Sequence, residues 1–442
     1  MLLAMTKRIL IQTVGTGGPS NPVWEALAFA VSSRRPHLLV QWCSQLTAEQ
    51  TIPAFDQALH AAHRPPDIRR VTCDDPDDVS RLALDYLNQI DELRSEFREA
   101  QIELDFTSGT KPMSVAAVAA AVARRLPLLH YAVGPRDESG RAIRTDRLIS
   151  LSTAPLVAER QLLELGVLFD AAQFTAVRRQ AEALAADLLD QRLLARARSL
   201  AMLADAYEAW DRFDWDDAFA KLREYKNIER RDACFSTAGW DLTAIARQVV
   251  HLKHCAKDPA GPQRLADILA NSDRCIAAGR HDDAVARLYR LTEYIAQVRF
   301  VKAAGLKWSN NPTGNVPMKQ IEERAPALAG ELMRQRNGSE RISLGLRHVI
   351  SFLAEAGDSV GRTMHDRYHG GGEHRQRGPL HQQLEIRNGS LLAHGSRPVE
   401  AKAAEDLRNT VAAILEEHLQ TLNLSLEAVL APARFVTCPW RA

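Results

Sequence analysis

The sequence predicts an α/β domain followed by a region that is nearly all α. Two observations carry this. Up to about residue 155, short runs rich in Ile, Leu, Val and aromatic residues alternate with helical patterns; beyond about residue 156 the strand signal fades, and Leu, Ala, Arg and Glu recur at helical spacing. Near-continuous apolar strands separated by helices indicate a parallel sheet covered on both faces.

Six strands are expected: 8–14 (RILIQTV), 37–43 (HLLVQWC), 68–73 (IRRVTC), 102–107 (IELDFT), 126–133 (LPLLHYAV) and 147–152 (RLISLS). Helical patterns such as PVWEALAFAVSS and DVSRLALDYLNQIDELRSEF lie between them. Only the last two strands read as antiparallel, because GPRDESGRAIRTD between them is a polar, glycine-bearing hairpin connection. In the second part, ERQLLELGVLFDAAQF and the residues after it, WDDAFAKLREY, and 283–302 all read as helices. MHDRYHGGGEHRQRGPLH (364–381), rich in glycine and charge, reads as an exposed, mobile loop. At 442 residues the chain exceeds one ordinary core, and the expected domains are 1–155, 156–275 and 276–442.

Hydrophobic residues make up 46% and charged residues 25%, a globular balance. Lysine plus arginine (56) nearly cancels aspartate plus glutamate (55), which excludes a protein that coats nucleic acid by bulk charge, so any RNA contact must be local. The six cysteines (Cys43, Cys73, Cys234, Cys255, Cys275, Cys438) include no C-x-x-C pair and suit reduced, buried thiols. No metal is expected. His365, His369, His374 and His381 lack a carboxylate or cysteine framework at regular spacing, and HLKHC (251–255) reads as one face of a helix. The apolar run Met113–Ala123 is too short to span a bilayer, and the opening residues do not read as a secretory signal, so a cytoplasmic protein without a membrane partner is expected.

In open parallel sheets ligands settle outside the carboxyl ends of the strands, and two such loops stand out. The first strand runs into TVGTGGPSNP, where Gly15 and Gly17 let the backbone approach a ligand; Ser20 stands where a dinucleotide fingerprint needs its third glycine, and QWCSQ after the second strand lacks the acidic ribose contact. The fourth strand runs into DFTSGTKPMS, which is not a P-loop because the lysine follows Thr110 rather than a glycine. It still offers an anion site of helix-start amides, the hydroxyls of Thr107, Ser108 and Thr110, and the ammonium of Lys111. A turn capped by Ser or Thr for structural reasons is the alternative for either loop alone. His130 reads as a packed strand residue.

GTGG after the first strand with TSGTKPM after the fourth resembles the CARF domain of type III CRISPR-associated proteins. The resemblance implies a dimerising, Rossmann-like module that binds a cyclic oligoadenylate ring across its two-fold axis. It places Ser108, Gly109, Thr110 and Lys111, with Gly15, Thr16, Gly17 and Gly18, around the ring, and Asn21, Thr107 and Pro112 are counted in the same site.

Near the other end stands EIRNGSLLAHGSRP (385–398), with Arg387 seven positions before His394. The spacing alone decides nothing, since Arg247 with His254 and Arg341 with His348 repeat it. On an unbroken helix, seven residues turn about 700°, which would put both side chains on one face roughly 10.5 Å apart, with Gly395 and Pro398 as the stop. Alternatively, Asn388-Gly389 forms a turn with Ser390 capping a new short helix. A histidine can move the 2′-hydroxyl and leaving-group protons while a guanidinium stabilises charge on phosphorus, so the pair suits metal-free RNA transesterification. Asn388 could orient the phosphate or the histidine.

RNGSLLAHG resembles the HEPN ribonuclease motif, and DDAVARLYRLTEYIAQ (282–297) resembles the opening helix of HEPN modules. Together the two halves resemble the CARF-HEPN ribonucleases of the Csm and Csx group. The resemblance implies a homodimer in which two HEPN halves complete one site, a cyclic oligoadenylate activator of unstated ring size with no other cofactor, single-stranded RNA as substrate, and a functional link to a type III CRISPR effector complex. Arg387, Asn388 and His394 are the implied catalytic residues, and 2′,3′-cyclic phosphate or 3′-phosphate ends the implied products. The rival expectation is a CARF-type regulatory protein without nuclease activity, for which no recognition helix-turn-helix or basic face is found.

Overall fold

The computed structural model describes residues 7–16, 23–60, 65–135, 138, 144–335, 340–370, 377–390 and 396–440. The chain divides into two compact units, one of residues 1–162 and 187–193, the other of 163–186 and 194–442.

The first unit is built from β1 (Arg8–Thr13), α1 (Val23–Arg34), β2 (Leu38–Ser44), α2 (Gln45–Gln50), α3 (Ile52–His60), β3 (Asp67–Cys73), α4 (Val79–Glu96), β4 (Gln101–Asp105), α5 (Lys111–Ala123), β5 (Leu128–Val133) and β6 (Arg147–Ser152). All six expected strands are present. They form one sheet in the order β3-β2-β1-β4-β5-β6, parallel except for the antiparallel β5–β6 pair. Every residue of β2 is buried, because both faces of the central strands are covered. On one face Ile9, Ile11, Val40, Trp42, Ile102 and Leu104 pack with residues of α4 and α5, and the indole of Trp42 stacks on Tyr86 with centroids 3.7 Å apart. On the other face Leu10, Leu39 and Cys43 pack with α1 and α3.

That second face carries a polar row beneath the carboxyl ends of the strands. Gln12 lies opposite Gln41 and Asp105, Gln41 opposite Arg70, Asp105 opposite His130, and His130 opposite Ser150. Gln12, Gln41, Asp105 and His130 are fully buried, and such groups persist only when hydrogen-bonded. Gln12 Nε2 donates to Asp105 Oδ2 at 2.9 Å, Gln41 Nε2 to Gln12 Oε1 at 3.5 Å and Arg70 Nε to Gln41 Oε1 at 3.1 Å. His130 meets Ser150 Oγ at 2.8 Å and Glu103 Oε2 at 2.9 Å, and the Arg34 guanidinium clamps the same carboxylate at 2.7 and 2.8 Å. Burial works against the charge of Glu103, but the hydrogen bonds from His130 and Arg34 prevail and hold its carboxyl down at about 2.

The helical remainder runs α6 (Ala154–Asp170), α7 (Phe174–Asp187), α8 (Gln191–Asp211), α9 (Trp215–Asp232), α10 (Cys234–Ala238), α11 (Leu242–Lys257), α12 (Pro262–Ala277), α13 (His281–Ala303), the short β7 (Val316–Pro317), α14 (Met318–Arg324), α15 (Pro326–Gln335), β8 (Arg341–Ile342), α16 (Leu346–Glu355), α17 (Ser359–His369), α18 (Pro379–Gly389), α19 (Ala401–Gln420) and α20 (Leu426–Leu430). Aspartate caps start several of them; Asp241 Oδ1 accepts from the amides of Thr243 and Ala244, both at 2.9 Å. Helix α13 packs against α12, α16, α18 and α19 around one core that includes Leu288, Ile295, Phe300, Phe352, Val411 and Leu415. Arg299 of α13 forks onto Asp358 at 2.6 and 2.7 Å, and the same carboxylate caps α17 through the Gly361 amide.

A second, aromatic cluster receives the chain near residue 435. The ring of Phe435 stacks on Tyr207 at 4.2 Å under the Arg274 guanidinium at 3.9 Å. Backbone anchors flank it: Gln248 Nε2 donates to Arg434 O at 2.8 Å, the Val436 amide to Tyr207 Oη at 3.2 Å and the Cys438 amide to Asp170 Oδ1 at 2.8 Å.

One expectation fails, and one of two alternatives drops out. Met364–His369 is the end of α17 and Pro379–His381 the start of α18, so most of the described part of 364–381 is helix rather than loop. The rings of His365 and His369 lie 4.5 Å apart on α17, and Tyr368 meets His381 at 4.7 Å, contacts that reward helix over loop despite the polar composition. Residues 371–376, including His374, lie outside the described residues. The unbroken helix through 387–394 is also absent: α18 ends at Gly389, and Ser390 is extended (φ −83°, ψ 161°).

Candidate functional site

The strand order reverses between β1 and β4, and the loops after these two strands meet at that point. Ser108 Oγ accepts from the Gly15 amide at 2.7 Å, Thr13 Oγ1 donates to Ser108 O, and Thr51 Oγ1 donates to Gly15 O at 2.8 Å. The approach explains both glycines. A Cβ on Gly15 would stand 2.6 Å from the Gly109 amide nitrogen, and Gly109, at φ +108°, takes a backbone conformation closed to most side chains.

A cleft of about 580 Å³ opens over this junction, lined by Gly15 and Thr16 from the first loop and by Thr107, Ser108, Gly109 and Thr110 from the second. Lys111, exposed, begins α5 directly after Thr110, with Pro112 following it, and Thr110 caps that helix through the Met113 amide at 3.2 Å. The hydroxyls expected to meet phosphate are all engaged within the protein: Thr107 donates to Asp105 and accepts from the Ala132 amide at 2.8 Å, Ser108 holds Gly15, and Thr110 donates to Pro76 O at 3.0 Å. Asp105 is entirely buried, which pushes its carboxyl up against the hydrogen bonds from Thr107 and Gln12. Gly17, Gly18 and Asn21 lie outside the described residues.

Sequence reasoning missed the part of the cleft contributed after β2 and β3. Ser44 and Thr47 form a reciprocal capping box at the start of α2 and line the cleft, as do Asp74 and Pro76. An S-x-x-T immediately after an apolar strand was the available signal. His130 is buried in β5 and tied to Glu103 and Ser150, as expected for a packed strand residue.

The second candidate site centres on Arg387, in the last turn of α18. Its guanidinium lies 5.1 Å over the ring of Tyr289 on α13, and Nη1 donates to Asn388 Oδ1 at 3.3 Å. Its carbonyl accepts the Ser390 hydroxyl at 2.8 Å, which closes the helix end. His394 lies outside the described residues; the residues on either side, Ser390 and Arg397, are bridged backbone to backbone, and the Val399 amide is pinned to Asp282 Oδ2 at 3.0 Å at the start of α13. Tyr289 was not singled out from the sequence, since nothing local marks a partner 98 positions away.

The family model of the Csm6 HEPN domain matches residues 253–418. This span contains Tyr289, Arg387, Asn388 and His394. Among solved structures, Enterococcus italicus Csm6 bound to cyclic hexa-2′-fluoro-hexa-dAMP is similar over 97% of this chain and 98% of its own, with a TM-score of 0.61 and 12% identity, a likeness of fold. The chain thus carries a stretch that matches the Csm6 HEPN domain, within a fold like that of a Csm6. No curated protein matches its sequence. The cleft at the β1/β4 reversal lies outside the matched span, and Arg387 with Asn388 lies within it. No described group of His, Cys, Asp or Glu side chains is arranged to hold a metal ion, and no described helix is long and apolar enough to cross a membrane.

Proposed function

We propose that this protein is a homodimeric, metal-independent endoribonuclease for single-stranded RNA, activated when a cyclic oligoadenylate made by a type III CRISPR complex occupies the CARF cleft. The observation that carries the reading is the Csm6 HEPN match across Arg387, Asn388 and His394.

The chemistry uses the substrate's own nucleophile. The imidazole of His394 takes the proton of a ribose 2′-hydroxyl, O2′ bonds to phosphorus, and the P–O5′ bond breaks; O5′ leaves with a proton, giving a 2′,3′-cyclic phosphate and a 5′-hydroxyl. Water can open the cyclic product to a 3′-phosphate. Arg387, held over Tyr289 and beside Asn388, offers a permanent charge to the pentacoordinate phosphorus. Each protomer supplies one Arg387-Asn388-His394 set, and two sets face each other in the dimer.

In the cleft, the hydroxyls of Thr107, Ser108 and Thr110 shape the loops rather than reach outward, so the ring's phosphates fall to the Lys111 ammonium and to backbone amides at the start of α5. Gly17, Gly18, Asn21, Thr16 and Pro112 complete the proposed surround. The ring activates only to the extent that it binds the active dimer better than the idle one.

An RNA cleavage assay with EDTA present, comparing tetra- and hexa-adenylate rings, tests the reading. Wild type should cleave with one of the rings, His394→Ala should lose cleavage while still binding the ring, and Lys111→Ala should bind the ring more weakly. Full activity in His394→Ala would remove the mechanism, and ring binding without any cleavage by wild type would favour a regulatory protein.

A further inference from the structure

A second cavity of about 420 Å³ lies beside α13, within the usual range of about 300–1,000 Å³ for small-ligand sites. Its walls are the rings of Phe213, Trp215 and Tyr294 and the guanidiniums of Arg264, Arg287 and Arg290; no carboxylate is among the described residues that line it. Each ring is fixed in place. The Trp215 indole N–H donates to Asp267 Oδ2 at 2.6 Å, and that fully buried carboxylate also accepts from Trp210 Nε1 at 2.6 Å. The Tyr294 hydroxyl donates to Pro259 O. Phe213, 5.6 Å from Trp215, takes the left-handed conformation (φ +63°) that closes α8, its amide donating to Trp210 O at 2.9 Å and that of Asp214 to Ala209 O at 3.0 Å.

We propose that this cavity takes one nucleoside of the single-stranded RNA substrate, its base against the aromatic walls and its phosphate toward the guanidiniums. Arg264 lies 4.4 Å over the Trp215 ring and Arg290 4.9 Å over Tyr294, so flat cationic and aromatic surfaces alternate around the opening, as suits a base of any identity with a phosphate attached. Arg287 is tied to Asp283 at 3.1 Å and to Asn271, and Arg264 to Cys255 O, whereas the more exposed Arg290 is held through Nη1 alone, by Gln297 at 3.1 Å and Glu293 at 3.4 Å, which leaves the rest of its guanidinium to meet a phosphate. The position favours RNA. Ala286, Arg290 and Tyr294 form one stripe of α13, and Tyr289, which carries Arg387, is the residue immediately before Arg290, about 100° around the helix. A strand with one phosphodiester at Arg387 thus passes the mouth of the cavity within a few nucleotides.

The inference rests on the ribonuclease reading for its ligand, so its test is a binding measurement that needs no cleavage. A fluorescein-labelled, fully 2′-O-methylated RNA decamer, which lacks the nucleophile, is titrated with full-length protein and followed by anisotropy. Arg290→Glu and Ala286→Leu, the second filling the cavity without touching a charge, should each weaken binding roughly tenfold or more. Decamers with one abasic position should show a single position whose loss weakens binding to wild type but not to Ala286→Leu. Equal affinities in wild type and both variants, or an abasic pattern unchanged by Ala286→Leu, would overturn the proposal. A variant that weakens binding only by dissolving the dimer, as read by light scattering, would overturn it as well. Cleavage is scored separately on unmodified RNA: a wild type that shows the abasic footprint but never cuts would sink the ribonuclease reading and leave the cavity standing.

Discussion

Tyr289 holds Arg387 by its ring face rather than by its hydroxyl, and this separates two substitutions. Tyr289→Phe keeps the face and should cleave RNA near the wild-type rate, whereas Tyr289→Leu should slow single-turnover cleavage about tenfold with little change in RNA affinity. His418, buried on α19, accepts from Arg299 Nη1 at 3.2 Å, and burial together with that guanidinium pushes its pKa down to about 4. Because the fold favours the neutral ring, the unfolded chain binds the extra proton first. Stability should therefore fall as the pH drops from about 6.5 to about 4, by up to about 3 kcal/mol, and the fall should shrink in His418→Gln, as denaturant titrations at each pH would reveal. Residue types alone marked RNGSLLAH as a candidate site, and the structure places Arg387 beside Asn388 within it. They did not mark the partner Tyr289, because a cation over a ring 98 positions away leaves no local pattern.

At the scale of elements, the strands were legible because both faces of the sheet are buried and the runs are apolar throughout; all six expected strands form. The polar row of Gln12, Gln41, Asp105 and His130 was not legible, since each member looks like a lapse in an apolar run until the register aligns them. Composition misled at 364–381, where buried Met364 and Leu380 and the edge-on contact of Tyr368 with His381 join α17 to α18 despite the polar residues around them. After Arg387 the sequence left an unbroken helix and a break open, and Ser390 decides for the break by closing α18 on the Arg387 carbonyl. At the start of α5, Thr110→Ala removes the cap bond to Met113 and the bond to Pro76 O, and should cost about 1–2 kcal/mol in chemical denaturation. Gly15→Ala should be worse for the cleft, since its Cβ would collide with the Gly109 backbone; weaker ring binding, measured calorimetrically, is the expected result.

For the molecule as a whole, the fold class could be read from the alternation of apolar runs with helical patterns, while the division of the helical part into packed layers could not, since amphipathic helices of similar composition can pair in many ways. Linkage supplies a prediction at this scale. A cyclic oligoadenylate at 100 times its dissociation constant should stabilise the folded protein by about 2.7 kcal/mol per ring-binding unit, seen as a higher melting temperature. His394→Ala should melt with the same increment, and an unchanged melting temperature with either ring would count against activator binding.

The docking of Phe435 against Tyr207 has a consequence for biosynthesis. Asp170 waits for an amide 268 positions further along, so a nascent chain cannot seal this aromatic nest until Cys438 has left the ribosome. A chain whose synthesis stops short of residue 435 lacks this keystone and should be easier prey for proteases than the finished one.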